Sequence, residues 1–206
     1  ISHDGLELYF TSWRPDGHGV GDSYVTRRAT TNDPWGEPEN LGHVVNGPYQ
    51  DLAFSVSPDG RLLFFSDNVP ELGTPPRSGG HGGSDMWMTR RASLSDLWQV
   101  PVNLGPKVNT STHEIGPLIS PDGLTLYFST AESKDYMTWE NWQVPILPVV
   151  DFNADEVVDL ADLVLLIDNW GTDSTLYDIG PFAWGDGVVD VDDLKVFIAE
   201  WEKANP

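Results

Sequence analysis

Ser57-Pro58-Asp59-Gly60-Arg61-Leu62-Leu63-Phe64-Phe65-Ser66 is a turn that runs straight into a strand. Proline presets φ, the aspartate bonds its own backbone nearby, and glycine supplies positive φ, so the first four residues close a tight turn. The apolar and aromatic run behind it has the composition of a buried strand. The passage recurs as Ser120-Pro121-Asp122-Gly123 ahead of residues 124–130 (LTLYFST). A degraded copy, Ser2-His3-Asp4-Gly5, precedes residues 6–11 (LELYFT). A turn–strand unit written three times marks a repeat protein, and the repeat decides the fold.

Further matches lie 63 residues apart. Residues 22–28 (DSYVTRR) return as 85–91 (DMWMTRR), Trp35 as Trp98, Asn40-Leu41-Gly42 as Asn103-Leu104-Gly105, and Val45-Asn46 as Val108-Asn109. A shortened third copy ends near residues 141–146 (NWQVPI). Each unit reads as four short strands: one after the Pro-Asp-Gly turn, one with the Tyr/Trp-x-x-Thr pattern, one near the Trp–Asn-Leu-Gly segment, and one leading into the next turn (52–56 and 114–119). That is the content of a propeller blade.

The Ser-Pro-Asp-Gly, Leu-Tyr-Phe-Ser, Asp-x-Trp and Asn-Leu-Gly pattern resembles the WD40-like (PD40, TolB-type) β-propeller repeat over about 145 residues. The resemblance implies a mainly β fold, with two to three four-stranded blades over residues 1–147. Closed propellers need roughly four to eight blades. The sequence therefore predicts part of a larger propeller, with ring closure by several copies as the alternative.

Nothing in these 147 residues announces catalysis. The five histidines, His3, His18, His43, His81 and His113, form no His-Glu-x-x-His helix, no Gly-x-Ser-x-Gly elbow occurs, and there is no cysteine. His18 and His81 sit in matching glycine-rich loops, but these lack the lysine and following helix of a phosphate cradle. A catalytic residue is needed once and a blade-building residue in every copy, so Asp22/Asp85 and Trp35/Trp98 read as architecture. No catalytic residue is assigned.

Charge changes character toward the C-terminus. The chain carries a net charge of −21, and residues 151–206 hold 14 acids against 2 bases. Such a balance excludes nucleic acid and anionic membrane as partners and favours cations. No apolar run is long enough to span a bilayer. The acids are interleaved with apolar residues at helical spacing, in a 31-residue duplication: Asp155/Asp186, Val158/Val189, Asp159/Asp190, Asp162/Asp193, Leu163/Leu194, Ile167/Ile198 and Trp170/Trp201. The spacing predicts helices over 160–170 and 191–201. Leu163, Leu166/Ile167 and Trp170 then face Leu194, Phe197/Ile198 and Trp201, and Gly171 ends the first helix.

Residues 151–162 place oxygen side chains where one calcium ion needs them. Asp151, Asn153 and Asp155 offer side-chain oxygens, Val157 its carbonyl, Asp159 a direct or water-mediated contact, and Asp162 closes the site from the first helical turn. Glu156 stands where a sharp turn favours glycine. In the second loop Phe182 and Trp184 occupy the first and third positions and cannot ligate. Asp178, reached through a longer loop, rebuilds the site with Asp186, the Val188 carbonyl, Asp190 and Asp193.

This duplicated loop–helix unit resembles the type I dockerin module, a small all-α domain of two F-hand loops, over residues 148–206. The resemblance implies two Ca²⁺ ions, the first loop being the more complete. It also implies docking on a cohesin-like or cell-surface partner through Leu160, Ala161, Val191 and Asp192. The domain boundary is expected at Pro145–Pro148. Together the two halves predict a secreted or cell-surface bacterial binding protein whose propeller ligand is a protein or carbohydrate. The alternatives are a propeller domain of a secreted polysaccharide-degrading hydrolase or peptidase, and a purely structural envelope protein.

Overall fold

The structure is a computed structural model that describes residues 1–15, 17–67, 77–131, 138–174 and 176–205. The chain divides into two compact units, Ile1–Pro145 and Ile146–Pro206. Among the described residues no helix is long and apolar enough to cross a membrane.

The first unit is mainly β, in three antiparallel sheets. β4 (Asp51–Val56), β5 (Leu62–Asp67), β6 (Met86–Arg90) and β7 (Val102–Asn103) form a four-stranded meander. β1 (Glu7–Ser12), β2 (Asp22–Arg27) and β3 (Glu39–Asn40) repeat its last three strands. β8 (His113–Ile119), β9 (Thr125–Ala131) and β10 (Trp139–Pro145) repeat its first three. Among the described residues, four strands stand in the middle copy and three in each flanking copy. The bulge between Leu52 and Ser55 in β4 returns between Ile115 and Leu118 in β8, at the same place in the repeat.

The turns explain why the copies survive sequence drift. Ser57 Oγ donates to Asp59 Oδ1 and accepts from the Leu62 amide (2.8 Å), while Gly60 takes φ 75° and donates to the Ser57 carbonyl (2.9 Å). The same bonds recur at Ser120–Thr125 and, despite His3 replacing proline, at Ser2–Glu7. An arginine then clamps each of the first two turns. Arg28 donates from Nε to the Gly5 carbonyl (2.8 Å) and lies 4.3 Å over Trp35. Arg91 does so to Gly60 (2.8 Å) and lies 4.5 Å over Trp98. Asn46 and Asn109 brace the strands. Asn46 accepts from the Ser23 amide and donates to its carbonyl, and Asn109 does the same to Met86. Tyr9, Val25, Val45, Val56, Leu63 and Trp98 make one apolar core within this unit.

The second unit holds α1 (Leu160–Asp168) and α2 (Val191–Ala204). Its core is Phe152, Leu166, Ile179, Val189 and Phe197, with Leu163, Leu194 and Trp201 packed against it. The expected stripe is narrower on both helices. Leu166 and Phe197 are fully buried, whereas Ile167 is 53%, Trp170 46% and Ile198 41% exposed; α1 stops at Asp168, so Trp170 lies past its end. Gly171, at φ 75°, lies just past the helix end and donates to the Val189 carbonyl (2.8 Å).

Candidate metal centre

Two loops lead into the two helices, and each is organised by carboxylates that accept backbone amides. Asp151 accepts from Asp155 (3.2 Å) through Oδ1 and from Glu156 (2.9 Å) through Oδ2. Asn153 Oδ1 accepts from the Asp155 amide (3.0 Å), and Asp155 Oδ1 from that of Val157 (2.9 Å). Asp162, fully buried, accepts from Phe152 (2.7 Å) and Asn153 (3.3 Å) through Oδ1 and from Asp159 (3.0 Å) through Oδ2. Asp159 in turn caps α1 by accepting from Ala161 (2.7 Å). Asp159 and Asp162 therefore form a capping box, a task in local folding that the ligand spacing alone did not reveal.

The second loop reproduces this pattern through different spacing. Asp178 accepts from Asp186 (2.7 Å) through Oδ1 and from Gly187 (2.8 Å) through Oδ2. Those are the two amides equivalent, in the 31-residue duplication, to Asp155 and Glu156. Asp193, fully buried, accepts from Ile179, Gly180 and Asp190. Asp190 caps α2 by accepting from Asp192 (2.8 Å), and Asp186 Oδ1 accepts from Val188 (3.2 Å). Asp178 and the two residues after it thus align with Asp151, Phe152 and Asn153. The residues 181–184 (PFAW) are an insertion, and within it Phe182 and Trp184 stack 4.9 Å apart. Gly185 makes room for the recruited carboxylate: a Cβ there would collide with Asp178.

Backbone conformation matches between the loops as well. Glu156 sits at φ 69° and Ala154 at φ 59°, while their counterparts Gly187 and Gly185 sit at 103° and 75°. The first loop holds two non-glycine residues in the left-handed region, at a cost of roughly 1 kcal/mol each.

The electrostatics are one-sided. Burial raises the Asp178 carboxyl above its usual range, the charges of Asp193 and Asp186 raise it further, and the Asp186 and Gly187 amides oppose both. The two bases of this unit lie on α2 and pair elsewhere, Lys195 with Asp192 and Lys203 with Glu200. Among the described residues, the loops therefore hold hard oxygen donors with no counter-ion. A carboxylate oxygen with one amide bond keeps a lone pair for a cation. That condition holds at both oxygens of Asp151 and of Asp178. The donor chemistry fits a calcium-type ion. Among the described residues, however, no three acidic or histidine side chains converge into a ready-made metal cluster, the carboxylates being turned onto their own amides.

The remaining assigned residues lie on the surface. Leu160 is 62% and Val191 49% exposed, Ala161 is exposed, and Asp192 is half-buried beside Lys195. Val157 and Val188 are exposed at their loops. Compared with known proteins, the chain matches no family model and no curated sequence.

Proposed function

We propose that the second unit is a calcium-stabilised docking module of the dockerin kind, and that the first is a propeller-type recognition module anchored through it to a cohesin-like or cell-surface partner. Asp178 carries this reading. A chain that inserts four residues into a loop and still returns a carboxylate to the same two amides preserves a feature that folding does not need twice. Calcium is the ion whose coordination calls for several hard oxygens from one loop. The exposed Leu160-Ala161 and Val191-Asp192 pairs supply the docking face, and a secreted or surface location in a bacterium follows from an extracellular calcium requirement. The deciding experiment is calorimetric titration with Ca²⁺ of chelator-treated protein. Two binding events support the reading; no heat and no change in melting temperature abolish it.

A second reading, the first unit as a domain of a polysaccharide-degrading hydrolase or peptidase, draws on Asp67. Burial, with the charges of Asp85 and Asp51, pushes its carboxyl up to about 7 against the Asp85 amide and Arg77, the range of a general acid at neutral pH. Release of reducing sugar or peptide that disappears in Asp67→Asn would decide for it.

A further inference from the structure

The two glycine-rich loops of the first unit differ where chemistry would need them to. In the first copy, Asp22 is fully bonded: Oδ2 accepts from His18 (2.6 Å) and Asn40 (2.8 Å), and Oδ1 accepts from Gly19 (2.9 Å). In the second, Asp85 Oδ2 keeps the matching partners, His81 (2.5 Å) and Asn103 (3.1 Å), but Oδ1 is buried with no partner. The architecture is met by the first arrangement, so the second gives up a hydrogen bond that the fold could have made.

Two other departures fall at the same place. The position near the end of this strand, Ser12 in the first copy and Thr130 in the third, is taken by Asp67 in the second. Asp67 and Asp85 lie eighteen residues apart where Ser12 and Asp22 lie ten apart. Arg77 corresponds to Arg14, 63 residues earlier, and the two guanidiniums lie over the equivalent rings of Trp87 and Tyr24. The Arg77 guanidinium is held 4.6 Å from the Tyr49 ring, 5.3 Å from Phe65 and 5.4 Å from Trp87. Its Nη2 donates to Asp51 Oδ1 (2.7 Å) and to the Val45 carbonyl (2.9 Å). Its Nε, 3.9 Å from Asp67 Oδ2, has no hydrogen-bond partner. Asp67, Arg77 and Asp85 wall a cavity of about 360 Å³ together with residues 78–83.

The cavity walls thus hold a buried donor without an acceptor and a buried acceptor without a donor. Unpaired buried groups of this kind are rare and destabilising. A cation would satisfy only the acceptor. An anion would meet the field of Asp51, Asp67 and Asp85. A hydroxyl both donates and accepts, and a vicinal pair of hydroxyls spans a carboxylate and a guanidinium at once. We propose that this cavity binds a neutral sugar residue, whose hydroxyls donate to Asp85 and Asp67 and accept from Arg77 Nε. The volume suits one sugar ring of an oligosaccharide. Burial pushes the Asp67 carboxyl up to about 7, so near neutrality it carries only part of its charge.

The inference rests on reading the first unit as a recognition module, and it names that module's ligand. Its test is saturation-transfer NMR and calorimetry on the full chain. The probes are glucose, galactose, mannose, xylose and their β-linked disaccharides, with glycine as the zwitterionic control. At least one sugar should bind, and Asp67→Ser, the residue of the first copy, should raise its Kd about ten-fold or more. Asp22→Asn, in the fully bonded copy, should leave Kd unchanged. Circular dichroism melting confirms that each variant is folded. Absence of binding by every sugar, equal Kd in Asp67→Ser, or binding of glycine in place of sugars overturns the inference. Calcium binding is measured on the same samples, so a chain that responds to calcium and ignores sugars overturns this proposal alone.

Discussion

Asp178 stands in the second acidic loop where Asp151 stands in the first, each accepting hydrogen bonds from the same pair of equivalent amides: Asp186 and Gly187 in one case, Asp155 and Glu156 in the other. The two carboxylates reach those amides from different distances along the chain, four residues in the first loop and eight in the second. A structural equivalence of this kind makes their substitutions comparable.

Asp151→Ala and Asp178→Ala should each remove one calcium-binding event and leave the other. In calcium at about a thousand times Kd, a bound ion stabilises the folded unit by about 4 kcal/mol. Each variant should therefore lose a similar part of the calcium-dependent rise in melting temperature. Calorimetry that still counts two events in Asp178→Ala would remove it from the second site.

Glu156→Gly should strengthen the first loop. The residue sits at φ 69°, a conformation that glycine adopts without strain, and relief of that strain is worth about 1 kcal/mol, partly offset by the entropy of the unfolded chain. The converse change, Gly185→Ala, places a Cβ against the Asp178 carboxylate at φ 75° and should weaken the second site far more than the first. Paired Ca²⁺ titrations of the two variants check both directions.

Asn46→Ala and Asn109→Ala should destabilise the first unit by about the same amount. Each asparagine is 1% exposed and satisfies the amide and carbonyl of one strand residue, Ser23 or Met86. Truncation leaves those groups buried and unpaired, which costs about 3 kcal/mol. Denaturant unfolding measures the loss, and a loss below about 1 kcal/mol in either variant would remove the brace from the account of the fold.

Asp67 should make the first unit more stable in mild acid than at neutrality. Its folded carboxyl holds a proton up to about pH 7, whereas the unfolded side chain releases it near the ordinary value of 3.8. Between those values the folded state binds more protons, so stability falls as pH rises, by at most about 1.4 kcal/mol per pH unit. Asp67→Ser should flatten that slope between pH 4 and 7 while keeping the opposite contributions of Asp4 and Glu7, whose carboxyls are held low. Melting curves of both proteins across this range show the difference.

The sequence by itself determined the parts that depend on a few neighbouring residues. The Ser-x-Asp-Gly turns close through bonds spanning at most five residues, so three turn–strand units were legible even where His3 replaces proline. The first loop was legible for the same reason, each bond there lying within ten residues, although the capping roles of Asp159 and Asp190 were not. Tertiary structure alone decided the rest. The insertion 181–184 broke the spacing, and only folding could return Asp178 to its amides. Packing against Phe152 and Phe197 chose Leu166 over Ile167 for the core, a choice that a stripe one residue wide cannot make. Only the fold leaves Asp85 Oδ1 and Arg77 Nε without partners, where Asp22 Oδ1 in the first copy has one. Hydrogen bonding is counted in space, and two loops of like sequence differ in what they leave unpaired.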